Sequence, residues 1–188
     1  VLLVTVVHPQ PASAAQVVRK LSSVMPAFGD IDIGDRRLPT VSPDGRYVVY
    51  VADQATDEAR ELWSVPIDGS SPPRRLSALL PSGTRVEHFV ITPDSGRVVY
   101  RTAQDSAGVT ELFVVPIAGG AITKLNGPLV AGGDVANFQI SPDGSRIVYQ
   151  ADQITDNREE IFSVPITGGV PVKLSGPLVL GGNIFGFD

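Results

Sequence analysis

The sequence predicts an all-β chain assembled from copies of one four-stranded antiparallel unit. Three observations predict it. One phrase is written three times: VSPDGRYVVYVADQ at 41–54, ITPDSGRVVYRTAQ at 91–104 and ISPDGSRIVYQADQ at 140–153. Its prolines, Pro43, Pro93 and Pro142, stand 50 and 49 residues apart, and a second proline (Pro66, Pro116, Pro165) follows each after 23. No copy carries an apolar face of helical period, whereas short β-branched and aromatic runs recur in each. A catalytic site is normally written once; a phrase written three times points to stacked copies.

The elements of a unit follow in order. A first strand leads into the motif: RVEHFVI (85–91), DVANFQI (134–140) and, more loosely, DRRLPTV (35–41). The Ser/Thr-Pro-Asp turn comes next, with proline pre-setting φ and aspartate bonding its own backbone. Gly45 and Gly144 are placed to take positive φ; in the middle copy Gly96 comes one residue late, after Ser95. The second strand is RYVVYV, RVVYR or RIVYQ, and the third, after a polar loop, is ELWSVPI, ELFVVPI or EIFSVPI. Asp68-Gly69, Gly119-Gly120 and Gly168-Gly169 predict primed hairpin turns into a fourth strand ending in RRLS, TKLN or VKLS. The single residue of slack between copies is expected between units.

Four short strands per ~50 residues, repeated, predict a partial β-propeller: about three complete four-stranded antiparallel blades plus flanking strands. The units span about 35–80, 84–130 and 134–179, with a partial fourth from 183. Apolar residues on both strand faces, as in YVVYV, fit blades buried on both sides. SPDG followed by RIVY, then EIFSVPITGG and KLS, resembles the TolB-type, WD40-like Pro-Asp propeller repeats over residues 16–188. The resemblance implies a periplasmic scaffold, a part of a surface or secreted protein, or the propeller of a prolyl oligopeptidase-type hydrolase. No G-x-S-x-G nucleophile elbow is present.

The two ends carry separate expectations. VLLVTVV at 1–7, a proline break and Ala12-Ser13-Ala14 read as the remnant of a signal peptide over 1–15. The alternative is a hairpin of a preceding unit, because RKLS at 19–22 matches RRLS at 74–77. NIFGFD at 183–188 matches DVANFQ and reads as the first strand of a further blade. Open blades are expected to associate, through Val48, Val49, Trp63 and Val65 at one end and Ile147, Val148, Phe162 and Val164 at the other.

Composition narrows the function. The formal charge of −5 and the pI near 5.0 argue against nucleic-acid or anionic-membrane partners. No apolar run approaches the ~18 residues of a membrane span. There is no cysteine, hence no disulfide and no thiolate chemistry. The loops DQATDEARE, AQDSAGVTE and DQITDNREE pool to D-Q-D-T-D-G, the first half of an EF-hand-type calcium loop. The candidate ligands are Asp53, Asp57, Asp105, Asp152 and Asp156, with Glu61, Glu111 and Glu160 recurring behind them. No copy holds a full set, so calcium is not expected and a solvated acidic loop is.

His8 and a lone strand His88 do not read as ligands, and Asp44, Asp94 and Asp143 belong to turns. Trp63, Phe113 and Phe162 share one slot and read as packing, and Arg74-Arg75 as a solvated strand end. No catalytic residue and no cofactor emerges. The expected function is a non-catalytic propeller module of a periplasmic or secreted protein, binding a protein or small ligand. The alternatives are an accessory propeller of a secreted hydrolase and a structural surface array.

Overall fold

Each copy of the repeated phrase becomes one antiparallel sheet in the computed structural model, which describes residues 3–4, 19–22, 31, 39–179 and 181–184. The first sheet is β3 (Thr40–Val41), β4 (Tyr47–Ala52), β5 (Glu61–Pro66) and β6 (Arg74–Arg75), paired in that order. The second is β7 (Val86–Ile91), β8 (Arg97–Thr102), β9 (Glu111–Pro116) and β10 (Thr123–Lys124). The third is β11 (Val135–Ile140), β12 (Arg146–Ala151), β13 (Glu160–Pro165) and β14 (Val172–Lys173). No helix occurs among the described residues, and the array is an unclosed, partial β-propeller.

A fourth, two-stranded sheet pairs β1 (Leu3–Val4) with β2 (Arg19–Lys20). Leu3 faces Lys20 as Trp63 faces Arg75, so these strands repeat the β5–β6 pairing. At these four residues the pairing is the one expected of the end of a preceding unit; the segment that joins the two strands lies outside the described residues. Ile31 bridges Ala52 as Val86 pairs with Thr102, so the first unit is entered at Ile31, ahead of the expected DRRLPTV segment. Most of 1–18 and residues 185–188 lie outside the described residues, including His8 and the IFGFD strand beyond Ile184.

The Ser/Thr-Pro-Asp turn is built alike three times. Ser42 donates its hydroxyl to Asp44 (2.6 Å), and the Arg46 N–H reaches the same carboxylate oxygen (3.0 Å). Thr92–Asp94 and Ser141–Asp143 repeat the hydroxyl bond at 2.5 Å. Gly45 and Gly144 take φ of 72° and 70°, as expected. In the middle copy Ser95, not Gly96, adopts that conformation at 59°. Its hydroxyl accepts the Asp44 N–H at 3.0 Å, so a strained residue also ties two units together.

Two expectations about spacing are corrected. The extra residue does not fall between units: the β5–β6 connection runs 67–73, whereas β9–β10 and β13–β14 run 117–122 and 166–171. Nor are these connections primed two-residue turns. The N–H of Gly69 bonds the Pro66 carbonyl at 2.9 Å, and of that turn only Gly69 has positive φ. A primed turn needs a left-handed first central residue, and Ile67 is a β-branched residue that resists it.

Core formation follows strand alternation. Val48, Tyr50 and Ala52 pack backward with Leu21, Ile31 and Val65. Val49, Val51 and Leu62 pack forward against Val98, Tyr100, Phe113 and Val115. The next junction joins Val99, Leu112, Val114 and Leu125 to Ile147, Tyr149, Phe162 and Val164. The expected open-end sets are therefore mostly covered: Val48, Val49, Val65, Ile147, Phe162 and Val164 are all buried. An end blade exposes one face of its strands, not both. What is uncovered at the third sheet is the forward set, with Leu174 at 55% and Val179 at 79% exposure.

Candidate interaction surface

The antiparallel order places the loops at 53–60, 103–110 and 152–159 at one end of the sheets, beside the linkers that lead into the next unit. Arg60 N–H bonds Thr84 O at 3.0 Å and Gly83 N–H bonds Glu58 O at 3.0 Å. Glu58, Gly108 and Asn157 stand in the same slot, all at positive φ (61°, 76° and 58°). The glycine of the pooled calcium pattern thus serves a turn, closed by Thr56 O, Ser106 O and Thr155 O.

The candidate ligands are scattered among structural tasks. Asp53 and Asp152 are buried rather than solvated, correcting the reading of the whole loop as a solvated hairpin. Asp152 accepts the N–H of Asp134 at 2.5 Å and of Asn157 at 3.0 Å, which is why its carboxylate turns inward. Asp105 forms an ion pair with Lys124 at 2.7 Å. Asp57 is exposed, and Asp156 accepts from the Asn157 amide at 2.9 Å. Among the described residues no group of three carboxylates or imidazoles gathers where it could hold a metal ion.

Two recurrent polar devices were not anticipated. Glu61, Glu111 and Glu160 are buried at the start of the third strand, and each pairs with a base on the fourth: Arg75 (3.2 Å), Lys124 (2.8 Å) and Lys173 (2.5 Å). Burial pushes the Glu61 carboxyl up, and Arg75 offsets part of that. Arg75 is therefore a paired residue rather than a solvated strand end. The second device is Tyr-x-x-x-Gln. Tyr50, Tyr100 and Tyr149 donate to Gln54, Gln104 and Gln153 at 2.9, 3.0 and 2.7 Å. Burial raises all three phenols, Tyr149 to about 12. The glutamine then crosses to the preceding unit: Ala78 N–H bonds Gln104 at 3.3 Å, and Gly127 N–H bonds Gln153 at 3.1 Å. Both devices were present in the sequence as recurrences, Glu with a base 13 or 14 residues on and Tyr with Gln four on.

The first strands of the units are sheet edges, and in a propeller such strands line the axis. Here the copies diverge. His88 and Asn137 share a slot, as do Val90 and Gln139, and His88, Asn137 and Gln139 are exposed. The His88 ring lies 5.1 Å from that of Phe138, so a residue read as bland lies across a unit junction. Arg101 completes this surface: it pairs with Glu87 at 3.3 Å and donates to Val135 O at 3.0 Å and to Ala136 O. Trp63, Phe113 and Phe162 pack in their common slot, the last two stacked on Tyr100 and Tyr149 at 5.6 and 5.3 Å.

Comparison with solved structures gives the same architecture. A putative TolB from Agrobacterium tumefaciens aligns at 18% identity over 75% of this chain and 50% of that one, with a TM-score of 0.51. A Mycobacterium tuberculosis puromycin-hydrolyzing peptidase aligns at 17% over 87% of this chain and 26% of that one, with a TM-score of 0.57. The isopeptidase AtxE2 aligns at 14% over 83% and 32%, with a TM-score of 0.53. The chain thus spans half the length of the first structure and a third or less of the others; at these identities the likeness is one of fold. No curated protein matches the sequence significantly. The family model described as the lipoprotein LpqB β-propeller domain matches residues 15–154, most of the chain, and the chain belongs to that β-propeller family.

Proposed function

We propose that this chain is a non-catalytic interaction module that works outside the cytoplasm and binds a protein through the exposed side of its first strands. One observation carries the reading. The tyrosine, aromatic and glutamate slots that pack or brace the units hold like residues in each copy, whereas on the first strands exposed His88 stands against exposed Asn137, and half-buried Val90 against exposed Gln139. Positions that take no part in stacking are free to differ between copies, and a binding surface is made of such differences. The carboxylates and tyrosines that recur are bonded within the fold, which leaves them to structure rather than chemistry. The extracytoplasmic setting is supported by the lipoprotein description of the family and by the TolB likeness in fold.

The test is binding. A His88→Phe/Asn137→Ala/Gln139→Ala chain keeps a ring against Phe138 and should lose the captured partner with its thermal midpoint little changed, while a variant at exposed Thr167 should retain it. Equal capture by both would remove the first strands as the interface. Fractionation of the producing cells tests the setting, and recovery in the cytosol would overturn it. The likeness to two peptidases at a fraction of their length favours a second reading, a propeller accompanying a hydrolase domain. A nucleophile elbow in the same gene, with peptidase activity of its whole product, would select it.

A further inference from the structure

We infer that Asn126 is a one-way deamidation site gated by the junction between the second and third units: the closed junction protects it, and its conversion to Asp or isoAsp marks a chain whose junction has opened. Of the four asparagines, Asn126 alone precedes a glycine. With no Cβ on Gly127, the backbone nitrogen swings onto the side-chain carbonyl carbon with less hindrance than past any other residue. The matching slots hold Ser77-Ala78 and Ser175-Gly176, which have no carboxamide to lose.

Three bonds hold the reacting groups apart. Asn126 Oδ1 accepts the Leu112 N–H at 2.8 Å, and Asn126 Nδ2 donates to Gly127 O at 3.0 Å. They fix the carboxamide inside the second unit, where Asn126 is only 7% exposed. The third restraint crosses the junction. Gly127 N–H donates to Gln153 Oε1 at 3.1 Å, with the Tyr149 hydroxyl at 3.4 Å. The attacking nitrogen is therefore held by the third unit. The glycine belongs to the same brace, because a Cβ at position 127 would meet Gln153 Nε2 at 2.9 Å. The close approach that seals the junction is also what puts a reactive pair there.

The step needs no reagent but water. The Gly127 nitrogen loses its proton and bonds to Asn126 Cγ; the Cγ–Nδ2 bond breaks, and ammonia leaves with that proton, giving a succinimide. Water then opens the ring at either carbonyl, to Asp or to isoAsp. The ring cannot close while Gln153 holds the N–H and Leu112 holds the carboxamide. Nor does the product fit the closed junction. One carboxylate oxygen can keep Leu112, but the other faces Gly127 O where Nδ2 had donated, so a buried charge stands against a second acceptor. IsoAsp also inserts a methylene into the backbone. A chain that has opened and reacted does not reclose as before.

The test follows the mass of the peptide that holds Asn126, in mildly alkaline buffer. Conversion of amide to acid changes that mass, whereas isomerisation at the Asp-Gly pairs 44–45, 68–69 and 143–144 does not. Conversion should be at least roughly tenfold slower in the folded 188-residue chain than in urea. Gln153→Ala should speed it roughly threefold or more, and Gln104→Ala, which removes the same brace from the first junction, should leave it near the parent rate. Where an alanine variant does not fold, Tyr149→Phe against Tyr100→Phe repeats the comparison with the rings retained. Asn126→Asp should melt below the parent chain. Three results would each overturn the inference: equal rates in buffer and urea, equal acceleration by the variants of the two junctions, or an Asn126→Asp chain as stable as its parent.

Discussion

Leu125 and Leu174 are the same residue in the same slot of adjacent sheets, and they sit in different media. Leu125 lies under the third unit among Ile147, Phe162 and Val164, and Leu174 faces outward. Nothing within either unit accounts for the difference, since both follow a Lys on a two-residue outer strand paired in equivalent register. A unit of this kind cannot bury its forward face by itself; its neighbour does so, and stability is shared between unit and junction. The comparison teaches that a residue's worth here is set by its place in the stack as well as by its place in the unit.

The comparison is broken or kept most sharply by truncation. Leu125→Ala should cost about 2–5 kcal/mol, the range for emptying a packed core site, and Leu174→Ala no more than about 0.5 kcal/mol. Urea denaturation of both variants decides it, and equal losses would erase the distinction between the two faces. A smaller effect is expected where the two units differ in backbone chemistry. Gly144→Val places a β-branched residue at φ 70° and should cost about 1–3 kcal/mol. Gly144→Ser should cost less, because Ser95 already occupies that conformation in the second unit. Ser145→Val, which removes only the exposed hydroxyl bond to Asp143 and keeps the N–H bond, should also cost less than Gly144→Val. Thermal midpoints of the three rank them.

The same turns differ in acidity. The Ser141 hydroxyl, then the hydroxyl and N–H of Ser145, hold Asp143 at about 2; Asp44 and Asp94 are lowered through fewer such bonds. A depressed carboxyl stabilises the fold above its unfolded value of 3.8, and that contribution fades as the pH falls toward 2. Carboxyl NMR titration should find Asp143 the most acidic of the three, and Ser141→Ala should move it upward. The smallest expected effect is that of calcium. A melt with calcium should match one with chelator, since Asp152 and Asp105 are already committed to backbone N–H groups and Lys124. A clear upward shift would return Asp53, Asp57, Asp105, Asp152 and Asp156 to consideration as ligands.

The repeat made the sheets legible. Pro43 to Pro66 and its two copies carry two strands and both turns at constant length, and that local chemistry is strong enough to place β4, β8 and β12 against their partners. The faces were not legible, because alternation says that a strand has two sides and not which neighbour covers each. Ile147 was expected to be open and is buried for that reason. The polar braces were missed on different grounds. Glu61 and Arg75, or Asp152 and Asn157, become partners only once the loop has folded, and composition shows such residues merely as acidic and basic. The exposed first-strand slots left only a weak trace, visible when the copies are laid over one another and their differences rather than their likenesses are read.

One slot bears on how such a chain avoids its own wrong structures. Val51, Arg101 and Gln150 occupy the same place in three near-copies. Arg101 reaches the first strand of the following unit and Gln150 the Ile184 carbonyl, and Val51 has no donor with which to do so. Chains made of similar modules are prone to misassembly, with one module seated against the wrong partner. An apolar face alone cannot tell its successors apart. A guanidinium seated against a wrong unit would keep Glu87 of its own sheet and lose the Val135 and Ala136 carbonyls, a penalty that a valine in the same slot does not carry. The slot thus separates junctions by what they ask of a neighbour: Arg101 and Gln150 need an acceptor from the adjoining segment, and Val51 needs only apolar cover.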